Sequence, residues 1–406
     1  MRIGMILDKT FPPDPRVENE AEALIEQGHQ VFLFCLKYRD EPEFEIISKI
    51  QVKRYISNKF EYKLSALAYT FPFYTNIMAK KITHFLIGNK IEVVHIHDLV
   101  IAGAVFKANK KLNISLVLDL HENRPEIMKL YPHLQKYPGK LLISPVKWKQ
   151  KEEEFIKKVE KVIVVTQEAK DEIMARVDLE DDKIVVVPNS VKRSFYANAI
   201  LKKSVTEKYK DKFVILYLGD TGLRRGLLTA IEAVEILKRM IKNLPEEKAN
   251  LKLVIVGENS TDEILKKKIR DLELENFIGM EGWQDESLFP SYIESSSVGI
   301  SPLYKNVHHD TTYANKLFQY MSFGKPLLVS DATAQKNLIE RTKSGLVHQE
   351  KNAVDFAKKI FELYKNDAMR KELGQNGKNF IENDFCWENV SGNLVEIYNE
   401  LEKMDI

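Results

Sequence analysis

Cysteine is almost absent from this sequence, which has only Cys35 and Cys386 in 406 residues, far apart and without metal-ligand spacing. We therefore expect no disulfide framework and no cysteine-based zinc site, but two small buried side chains in a reducing compartment. No uninterrupted apolar run approaches the ~20 residues of a membrane-spanning helix. The N-terminal apolar run ends at Asp8, too early for a signal peptide. These absences predict a cytoplasmic protein.

The sequence also has almost no excess of charge of one sign, because 61 basic and 59 acidic side chains leave a formal net charge of +2. A chain whose positive and negative charges nearly cancel has no overall positive potential that would attract nucleic acid. We therefore expect no nucleic-acid partner. Apolar residues, in contrast, make up 44% of the chain. A chain of this length and apolar content exceeds one ordinary α/β domain, so at least two units are expected.

Short apolar runs alternate with amphipathic stretches along the whole chain. The run Arg2–Leu7 is followed by a proline-rich loop, a helical stripe over Arg16–Gln27 and a second run at Val31–Leu36. This order is typical of a βαβ unit in a parallel sheet covered on both faces, and it starts again at Phe213. Further strands are predicted at Ile91–Ile96, Ser115–Leu120, Lys161–Val165, Lys183–Val187, Leu251–Val256, Phe277–Met280, Val298–Ser301 and Pro326–Ser330.

The alternation predicts an α/β fold of two Rossmann-like, doubly wound parallel-sheet domains. We place the first domain at residues 1–195 and the second at 196–385. Residues 386–406 are expected to form a helix that packs back on the first domain. Because ligands of doubly wound sheets bind beyond the carboxyl ends of the strands, the loops that follow the strands are the candidate sites.

Polar side chains follow three strands of the first half. Arg16 opens the first helix, where it either faces an acceptor or phosphate or forms a salt bridge in a rigid connector. His95 and His97 alternate onto one side of an extended chain, but no third ligand is near them in sequence, so we expect structural or cleft-lining residues and no metal site. His121 follows the carboxyl end of a central strand. We expect it to act as a general acid or base or to orient the substrate, with capping of the next helix as the alternative.

The second half offers a site for an anion. Gly219–Gly226 is a loop bounded by glycines, with Arg224 and Arg225 directly before a helix. Glycine lets the backbone approach a ligand, a helix start favours negative charge, and arginine grips phosphate with two donors. The spacing fits neither a Walker loop nor the GxGxxG dinucleotide motif. A second polar loop, within Tyr304–Asp331, leads into a helix that Lys316 begins, and it offers further phosphate contacts.

Several of these segments resemble one large family, in the same order along the chain. The segment Asn315–Pro326, NKLFQYMSFGKP, resembles the K-x-F-E-Y-M-A-x-G-K-P signature of the retaining GT-B glycosyltransferases of family four. The resemblance implies two Rossmann-like domains that face each other across a cleft, with an acceptor on the first and a nucleotide-sugar donor on the second. Other landmarks of that family resemble Arg16–Glu20, Gly28–Val31, His95–Asp98, Asp119–Glu122, Pro188–Val191, Arg225–Gly226 and Val298–Leu303.

The resemblance also implies roles for individual residues. His121 would contact the transferred sugar, while Arg225 and Lys316 would neutralise the departing diphosphate, and these three are the expected catalytic residues. Further donor contacts are expected from Gly219, Thr221, Gly222, Arg224, Asp310, Thr311, Thr312, Asn315, Leu317 and Gln319. On the acceptor side the expected residues are Arg16, His97, Asp98 and Glu122.

The chemistry implied by the resemblance needs neither a cofactor nor an essential metal, since the nucleotide sugar is the co-substrate. Transfer would retain the anomeric configuration by front-face attack, with the leaving phosphate accepting the acceptor's proton. The sequence departs from the family at the paired acids E-x7-E, which correspond to Thr311 and Gln319 here, and Asp220 replaces a basic residue. Asp310 is a candidate replacement for the first acid, and Gln319 retains hydrogen-bonding groups for a ribose.

Two stretches of the first half are aromatic and basic, Tyr62–Phe85 and Lys129–Lys158. Basic-aromatic amphipathic helices lie on anionic lipid, although Glu152, Glu153 and Glu154 dilute the charge and ordinary solvated helices are the alternative. We expect peripheral contact with the inner face of a membrane. A glycan or lipid-linked acceptor would follow, as in surface polysaccharide or glycoconjugate biosynthesis.

Two other functions stay open on the sequence alone. A nucleotide-sugar 2-epimerase of the same fold would need carboxylates placed for elimination, and Asp98 and Glu122 are the candidates. A non-catalytic relative that binds sugar nucleotides would agree with the loss of both paired acids.

Overall fold

The chain forms two compact units in the computed structural model, which describes residues 1–404 except 132, 133, 135 and 243–249. The N-domain comprises Met1–Asn189 with Val390–Ile406, and the C-domain comprises Ser190–Asn389. The sequence placed these boundaries at 195/196 and 385/386. They differ because the Trp387 N–H donates to the Val191 carbonyl at 2.9 Å, which joins both segments to the C-domain.

The N-domain contains an eight-stranded sheet. Its strands are β1 Arg2–Ile6, β2 Gln30–Lys37, β3 Phe44–Ile47, β4 Ile50–Ile56, β5 Val93–His97, β6 Ser115–Leu120, β7 Lys161–Val164 and β8 Ile184–Val186. They are ordered β3-β4-β2-β1-β5-β6-β7-β8, and all neighbours are parallel except the antiparallel pair β3–β4. The sequence did not predict β3 and β4. β3 is a short, mostly exposed edge strand, and β4 alternates buried with half-buried residues and so has no continuous apolar run.

Helices cover the N-domain sheet. The first of them begins where Asp14 accepts a hydrogen bond from the Val17 N–H at 3.3 Å, and the chain turns away at Gly28, whose φ is +87°. Numbered along the whole chain, the helices of this domain are α1 Pro15–Glu26, α2 Lys59–Ser65, α3 Phe73–Gly88, α4 Leu99–Asn109, α5 Arg124–Met128, α6 Gly139–Leu142, α7 Pro145–Lys158, α8 Gln167–Met174 and, near the C-terminus, α20 Gly392–Met404.

The C-domain contains a six-stranded, fully parallel sheet. Its strands are β9 Phe213–Leu218, β10 Leu251–Val256, β11 Ile278–Gly282, β12 Val298–Ser301, β13 Leu327–Ser330 and β14 Gly345–His348, in the order β11-β10-β9-β12-β13-β14. Its helices are α9 Arg193–Ala197, α10 Lys203–Tyr209, α11 Leu227–Ile241, α12 Asp262–Asp271, α13 Phe289–Glu294, α14 Val307–Asp310, α15 Lys316–Ser322, α16 Thr333–Thr342, α17 Ala353–Lys365, α18 Asp367–Phe380 and α19 Trp387–Val390, with a π-helical turn at Ile381–Phe385.

In both sheets the first strand of the domain lies in the interior: β1 lies between β2 and β5, and β9 lies between β10 and β12. The predicted pair of parallel-sheet α/β domains is therefore confirmed. The loops that follow β1, β5 and β6 share one edge of the N-domain sheet, and those after β9, β10 and β12 share one edge of the C-domain sheet. Within the described part of the chain, no helix is both long and apolar enough to cross a membrane.

Candidate functional site

A buried group of charged side chains lies where α1 meets β6 in the N-domain. The Nε and Nη2 of Arg16 donate to the two carboxylate oxygens of Asp119 at 2.9 and 2.7 Å, and Nη2 lies 2.8 Å from Glu20 Oε1. Nη1 donates to the Val187 carbonyl at 3.1 Å and to Asn189 Oδ1 at 2.9 Å. All three guanidinium nitrogens are thus engaged inside the domain. Arg16 thus forms the buried salt bridge that was one of its two expected roles, and its acceptor-side role stays a prediction.

Three histidines lie against the same carboxylate. His95 and His97 are fully buried with ring centroids 4.4 Å apart, as their alternation on one strand predicted. His95 Nδ1 lies 2.7 Å from the Tyr398 hydroxyl of α20. His121 Nε2 lies 2.7 Å from Asp119 Oδ2, and 15% of its side chain is exposed. His121 can therefore reach a ligand, whereas His97, predicted on the acceptor side, lies in the interior of the domain.

The charges of this group depend on one another. Burial opposes the ionisation of Asp119, but Arg16 and His121 outweigh it and hold the pKa of this carboxyl well below its ordinary value. Burial likewise opposes protonation of His121, yet the Asp119 carboxylate raises its pKa. Burial raises the pKa of Glu20 and lowers that of His97 well below the ordinary histidine range. Asp119 is therefore the fixed negative charge of the group, and it orients His121.

The two carboxylates required by the epimerase alternative are occupied by other contacts. Asp98 caps α4 by accepting a hydrogen bond from the Leu99 N–H at 2.8 Å, and its φ of +73° turns the chain out of β5. Glu122 Oε1 lies 2.9 Å from Arg124 Nη1. Asp98 is buried and Glu122 is half-buried, so the structure assigns the first a helix-capping role and the second an ion pair.

In the C-domain, the loop after β9 needs its glycines. Gly219 and Gly226 have φ values of +111° and +77°, which other residues rarely adopt. A Cβ on Gly226 would lie 1.8 Å from the Pro302 carbonyl oxygen. Asp220 lies between the glycines, and its Oδ2 forms ion pairs with Arg225 Nε at 3.1 Å and Arg224 Nη2 at 3.5 Å. The loop therefore presents two arginines that share a single carboxylate.

Further hydrogen bonds fix the shape of this loop. The Gly222 N–H and the Asn259 side-chain amide donate to Asp220 Oδ1 at 3.1 and 2.7 Å. The Thr221 hydroxyl donates to Asp262 at the start of α12. Burial opposes ionisation of Asp220, but Arg225 outweighs it and lowers the pKa of this carboxyl. The acid that replaces the family's basic residue thus holds the arginines in place.

Lys316, at the start of α15, lies against the same loop. Its Nζ lies 3.4 Å from the centroid of the Tyr217 ring and 3.6 Å from the position that a Cβ on Gly219 would take. No carboxylate of the described residues lies within 4.0 Å of this nitrogen, and only 8% of the residue is exposed. Burial and the positive charge of Arg225 hold the pKa of Lys316 well below its ordinary value. Lys316 is a cation without an anion of its own.

The loop before α15 is largely engaged in its own contacts. Asp310 Oδ1 accepts hydrogen bonds from the Thr333 N–H and hydroxyl at 2.6 and 2.8 Å, so the candidate replacement acid caps α16. Thr311 and Thr312 donate from their hydroxyls to backbone carbonyls one helical turn earlier, each at 2.8 Å. Burial and the nearby arginines lower the pKa of His308 to about 3, which keeps this residue neutral. The donor roles of Asp310, Thr311 and Thr312 stay predictions.

The remaining predicted donor residues lie on or beside α15. Asn315 is exposed at its start, and Leu317 is a core residue whose N–H donates to the Ala314 carbonyl at 3.0 Å. Gln319 is half-buried, and its side-chain amide makes no hydrogen bond with the described residues. A free amide on the helix that carries Lys316 agrees with the predicted ribose contact, whereas the Leu317 N–H is already used.

The sequence analysis missed Glu20 and Tyr398 as partners of the predicted residues. Glu20 had a signal, since it lies four positions after Arg16 on a helix, where opposite charges pair. Tyr398 had none, because 303 residues separate it from His95.

The aromatic and basic stretches of the N-domain divide into buried and exposed parts. Tyr74 and Trp148 are core residues, which the sequence could not distinguish from surface aromatics. Residues 132, 133 and 135 of the second stretch lie outside the described residues. Thr70, after α2, donates to the Leu142 carbonyl of α6 at 2.6 Å, so the two stretches adjoin. The exposed apolar side chains around this junction are Phe60, Tyr62, Phe71, Phe73, Tyr137, Leu141 and Val146.

Comparison with known families gives a match in each half of the chain. Residues 16–195 match Glycosyltransferase Family 4, and residues 200–380 match Glycosyl transferases group 1. The glycosyltransferase MJ1607 of Methanocaldococcus jannaschii is 21% identical over 98% of this chain and 98% of its own. MJ1069 of the same organism is 23% identical, over 61% of this chain and 60% of its own. CapM of Staphylococcus aureus, a capsular polysaccharide biosynthesis glycosyltransferase, is 21% identical over 59% and 61% of the two chains.

Solved structures agree on the fold. Sucrose-phosphate synthase from Thermosynechococcus elongatus superposes with a TM-score of 0.80 at 15% identity, over 99% of both chains. HepE of Anabaena, solved with UDP-glucose, superposes with a TM-score of 0.73 at 12% identity, over 98% of this chain and 100% of its own. The chain therefore belongs to the family 4-like glycosyltransferases of the GT-B fold.

Proposed function

We propose that this glycosyltransferase moves a sugar from a nucleotide-sugar donor to a glycan or lipid-linked acceptor with retention of anomeric configuration. The observation that carries the donor assignment is the group of Arg224, Arg225 and Lys316 around one carboxylate, Asp220. Among the described residues, Asp220 is the one carboxylate in ion-pair contact with Arg224 and Arg225, and Lys316 has none, so these cations can accept further negative charge. A nucleoside diphosphate supplies that charge.

The geometry of the loop supports a diphosphate in particular. Gly219 lets the backbone pass close to Lys316, and Arg225 offers donors in a planar fork that suits phosphate oxygens. Lys316 adds a point charge whose desolvation is compensated only when an anion binds. Two structural neighbours were solved with such ligands, HepE of Anabaena with UDP and a trehalose-6-phosphate protein from E. coli with UDP-2-fluoro glucose.

The same residues would supply the catalysis. Negative charge develops on the diphosphate as the glycosidic bond breaks, and fixed cations stabilise that charge without reorganising. We assign this work to Arg225 and Lys316 and propose that no cofactor or essential metal takes part in it. His121, oriented by Asp119, is assigned to the transferred sugar. Front-face attack, with the leaving phosphate accepting the proton of the acceptor hydroxyl, would give retention.

A binding panel tests the donor assignment. The purified protein is titrated with UDP, GDP, ADP and TDP and with their sugars, without added metal, and its melting temperature is recorded. One nucleotide class should raise the melting temperature by mass action, and Arg225→Ala should remove the effect. Arg239→Ala is the control, since that side chain is 76% exposed on α11 and pairs with Glu235. A panel in which no nucleotide binds would overturn the donor assignment. Binding without donor hydrolysis or transfer would favour the non-catalytic alternative.

A lipid-linked acceptor is supported by the exposed apolar side chains around α2, α3 and α6. Phe73 is 58% and Leu141 is 75% exposed; Lys140 directly precedes Leu141, and Lys80 and Lys81 follow Phe73 on α3. Apolar side chains among lysines suit the surface of an anionic membrane. We expect the protein to sediment with vesicles that contain anionic lipid, and Phe73→Ser with Leu141→Ser to weaken this. Ile264→Ser, at an exposed position of the C-domain, is the control. Membrane contact would be refuted if all variants sedimented with the vesicles as well as the wild type does, or if the wild type did not sediment with them.

A further inference from the structure

We propose that the N-domain binds one divalent transition-metal ion, with zinc the best fit, between Glu20, His95, His97 and Asp119. These four residues come from α1, β5 and β6. The inference is independent of the proposed sugar transfer, because none of the four is assigned to the donor.

The ligand atoms form a compact group. His95 Nε2 lies 3.4 Å from Glu20 Oε2 and 3.7 Å from Asp119 Oδ2. His97 Nδ1 lies 3.9 Å from Glu20 Oε2 and 3.5 Å from Asp119 Oδ2. With one ligand atom taken from each of the four residues, the atoms lie within 4.8 Å of one another. Tetrahedral zinc, with bonds of about 2.0–2.2 Å to nitrogen and oxygen, needs ligand atoms roughly 3.3–3.6 Å apart, so small side-chain adjustments would suffice.

Two of these atoms lack a partner that the protein should provide. All four side chains are fully buried, and among the described residues neither His95 Nε2 nor Glu20 Oε2 has a hydrogen-bond partner. Buried polar atoms are nearly always paired, because an unpaired one loses its hydrogen bonds to water without replacement. These two atoms, a nitrogen and a carboxylate oxygen, lie 3.4 Å apart, and one bound cation would satisfy both of them.

Contacts on the outer side of the group hold the ligands in position. Tyr398 lies 2.7 Å from His95 Nδ1, which leaves Nε2 as the metal-binding nitrogen of this ring. Arg16 Nη2 binds Glu20 Oε1 at 2.8 Å and Asp119 Oδ1 at 2.7 Å, while Arg16 Nε and His121 Nε2 contact Asp119 Oδ2 at 2.9 and 2.7 Å. Hydrogen bonds to the far side of histidine and carboxylate ligands are the usual support of protein metal sites.

The ligand chemistry selects the metal and its role. Two imidazole nitrogens with two carboxylate oxygens suit zinc and its neighbours, whereas Mg²⁺ and Ca²⁺ prefer oxygen alone. Four protein ligands without solvent exposure leave no open position, which is typical of structural and not catalytic zinc. The ion would tie α1 to β5 and β6. It would thereby fix Asp119, the carboxylate that orients His121.

The test begins with the metal content of the full chain, purified through a tag without histidine. We expect about one zinc per chain by mass spectrometry of the elements, lost in His95→Ala and in His97→Ala. His84→Ala is the matched control, because His84 is an exposed histidine of α3 and its removal should change nothing. The proposal is overturned if the wild type contains no zinc, or if both His95→Ala and His97→Ala retain the zinc of the wild type.

A second measurement needs no variant that could fail to fold. The wild type is stripped with a chelator and titrated with Zn²⁺ or Co²⁺, which should raise the melting temperature and, with Co²⁺, give the visible absorption of a tetrahedral site. Tyr398→Phe should weaken zinc binding by roughly 10- to 100-fold, as loss of an outer contact does. An unchanged melting temperature in the wild type would show that the group shares protons and holds no metal.

Discussion

The two domains place charged side chains at the same edge of the same kind of sheet, but they satisfy them differently. In the N-domain, Arg16 is fully engaged with Asp119 and Glu20 inside the protein. In the C-domain, Arg224 and Arg225 share Asp220, and Lys316 has no carboxylate within ion-pair distance among the described residues. The comparison shows that a buried charged side chain can either stabilise the fold or be available to bind a ligand. The number of its ion-pair partners inside the protein distinguishes these two roles.

The largest expected effect is on stability, from Arg16→Met in the N-domain. The change leaves Asp119 and Glu20 buried without their cation, and breaking a buried pair in this way costs about 3–5 kcal/mol. Urea unfolding followed by hydrogen-exchange mass spectrometry would report the loss for each domain separately. Arg224→Met is the matched control in the C-domain, where a half-exposed pair should contribute less than about 1 kcal/mol. Equal losses in both variants would remove the distinction between the domains.

The next effect is on ligand affinity, from Lys316→Met. We expect the dissociation constant of the bound nucleotide to rise by about 100-fold, in the range typical for loss of one preorganised charge contact. The melting temperature of the free protein should stay the same or increase, because the variant no longer buries a cation without a carboxylate partner. Calorimetric titration and thermal unfolding measure the two effects. If Lys316→Met markedly lowered the melting temperature, Lys316 would stabilise the fold, as the buried charges of the N-domain do, and the expectation would be wrong.

A third expectation concerns protons, because the pKa of Lys316 is held well below its ordinary value by burial and Arg225. A folded pKa below that of the unfolded chain makes charged Lys316 a cost to stability, and this cost shrinks as the pH rises through the folded pKa. A bound diphosphate reverses the shift, so binding should take up as much as one proton in the pH interval between the two pKa values.

Proton uptake is measured by titrating the nucleotide at about pH 9, below the ordinary lysine pKa of about 10.4. Buffers of different ionisation enthalpy should give different observed enthalpies. Lys316→Arg keeps the charge and should abolish the dependence, since arginine stays protonated. A wild type whose binding enthalpy is independent of the buffer would contradict the expectation.

The smallest expected effect is that of salt. Raising the ionic strength from 0.1 M to 1 M shortens the Debye length from about 10 Å to about 3 Å. The half-exposed arginines of the C-domain should then bind the nucleotide several-fold more weakly. The buried pairs of the N-domain are screened much less, so its unfolding transition should shift little after correction for the general effect of the salt. Equal sensitivity would mean that the N-domain group is open to solvent.

The sequence by itself determined most of the elements and the residue types of the loop Gly219–Gly226. Apolar runs of strand length alternate with helical stripes, and this local pattern predicted most of the strands, the parallel sheets and the loops that carry Arg225 and Lys316. Glycines beside arginines are a local signal as well. The strands β3, β4 and β14 were not predicted, because none has a continuous apolar run of strand length. The edge strand β3 is mostly exposed, β4 alternates buried with half-buried residues, and β14 has only four residues, three of them half-buried.

The tertiary structure alone decided which charges are satisfied. Arg16 had two possible roles on the sequence, and the choice depended on Asp119, which lies 103 positions further along the chain. His95 and His97 lacked further metal ligands in sequence, but strand order and the packing of α1 bring Glu20 and Asp119 beside them. Pairing over such separations depends on which strands become neighbours. Neighbouring strands are selected by the packing of the whole domain, and no local pattern contains that information.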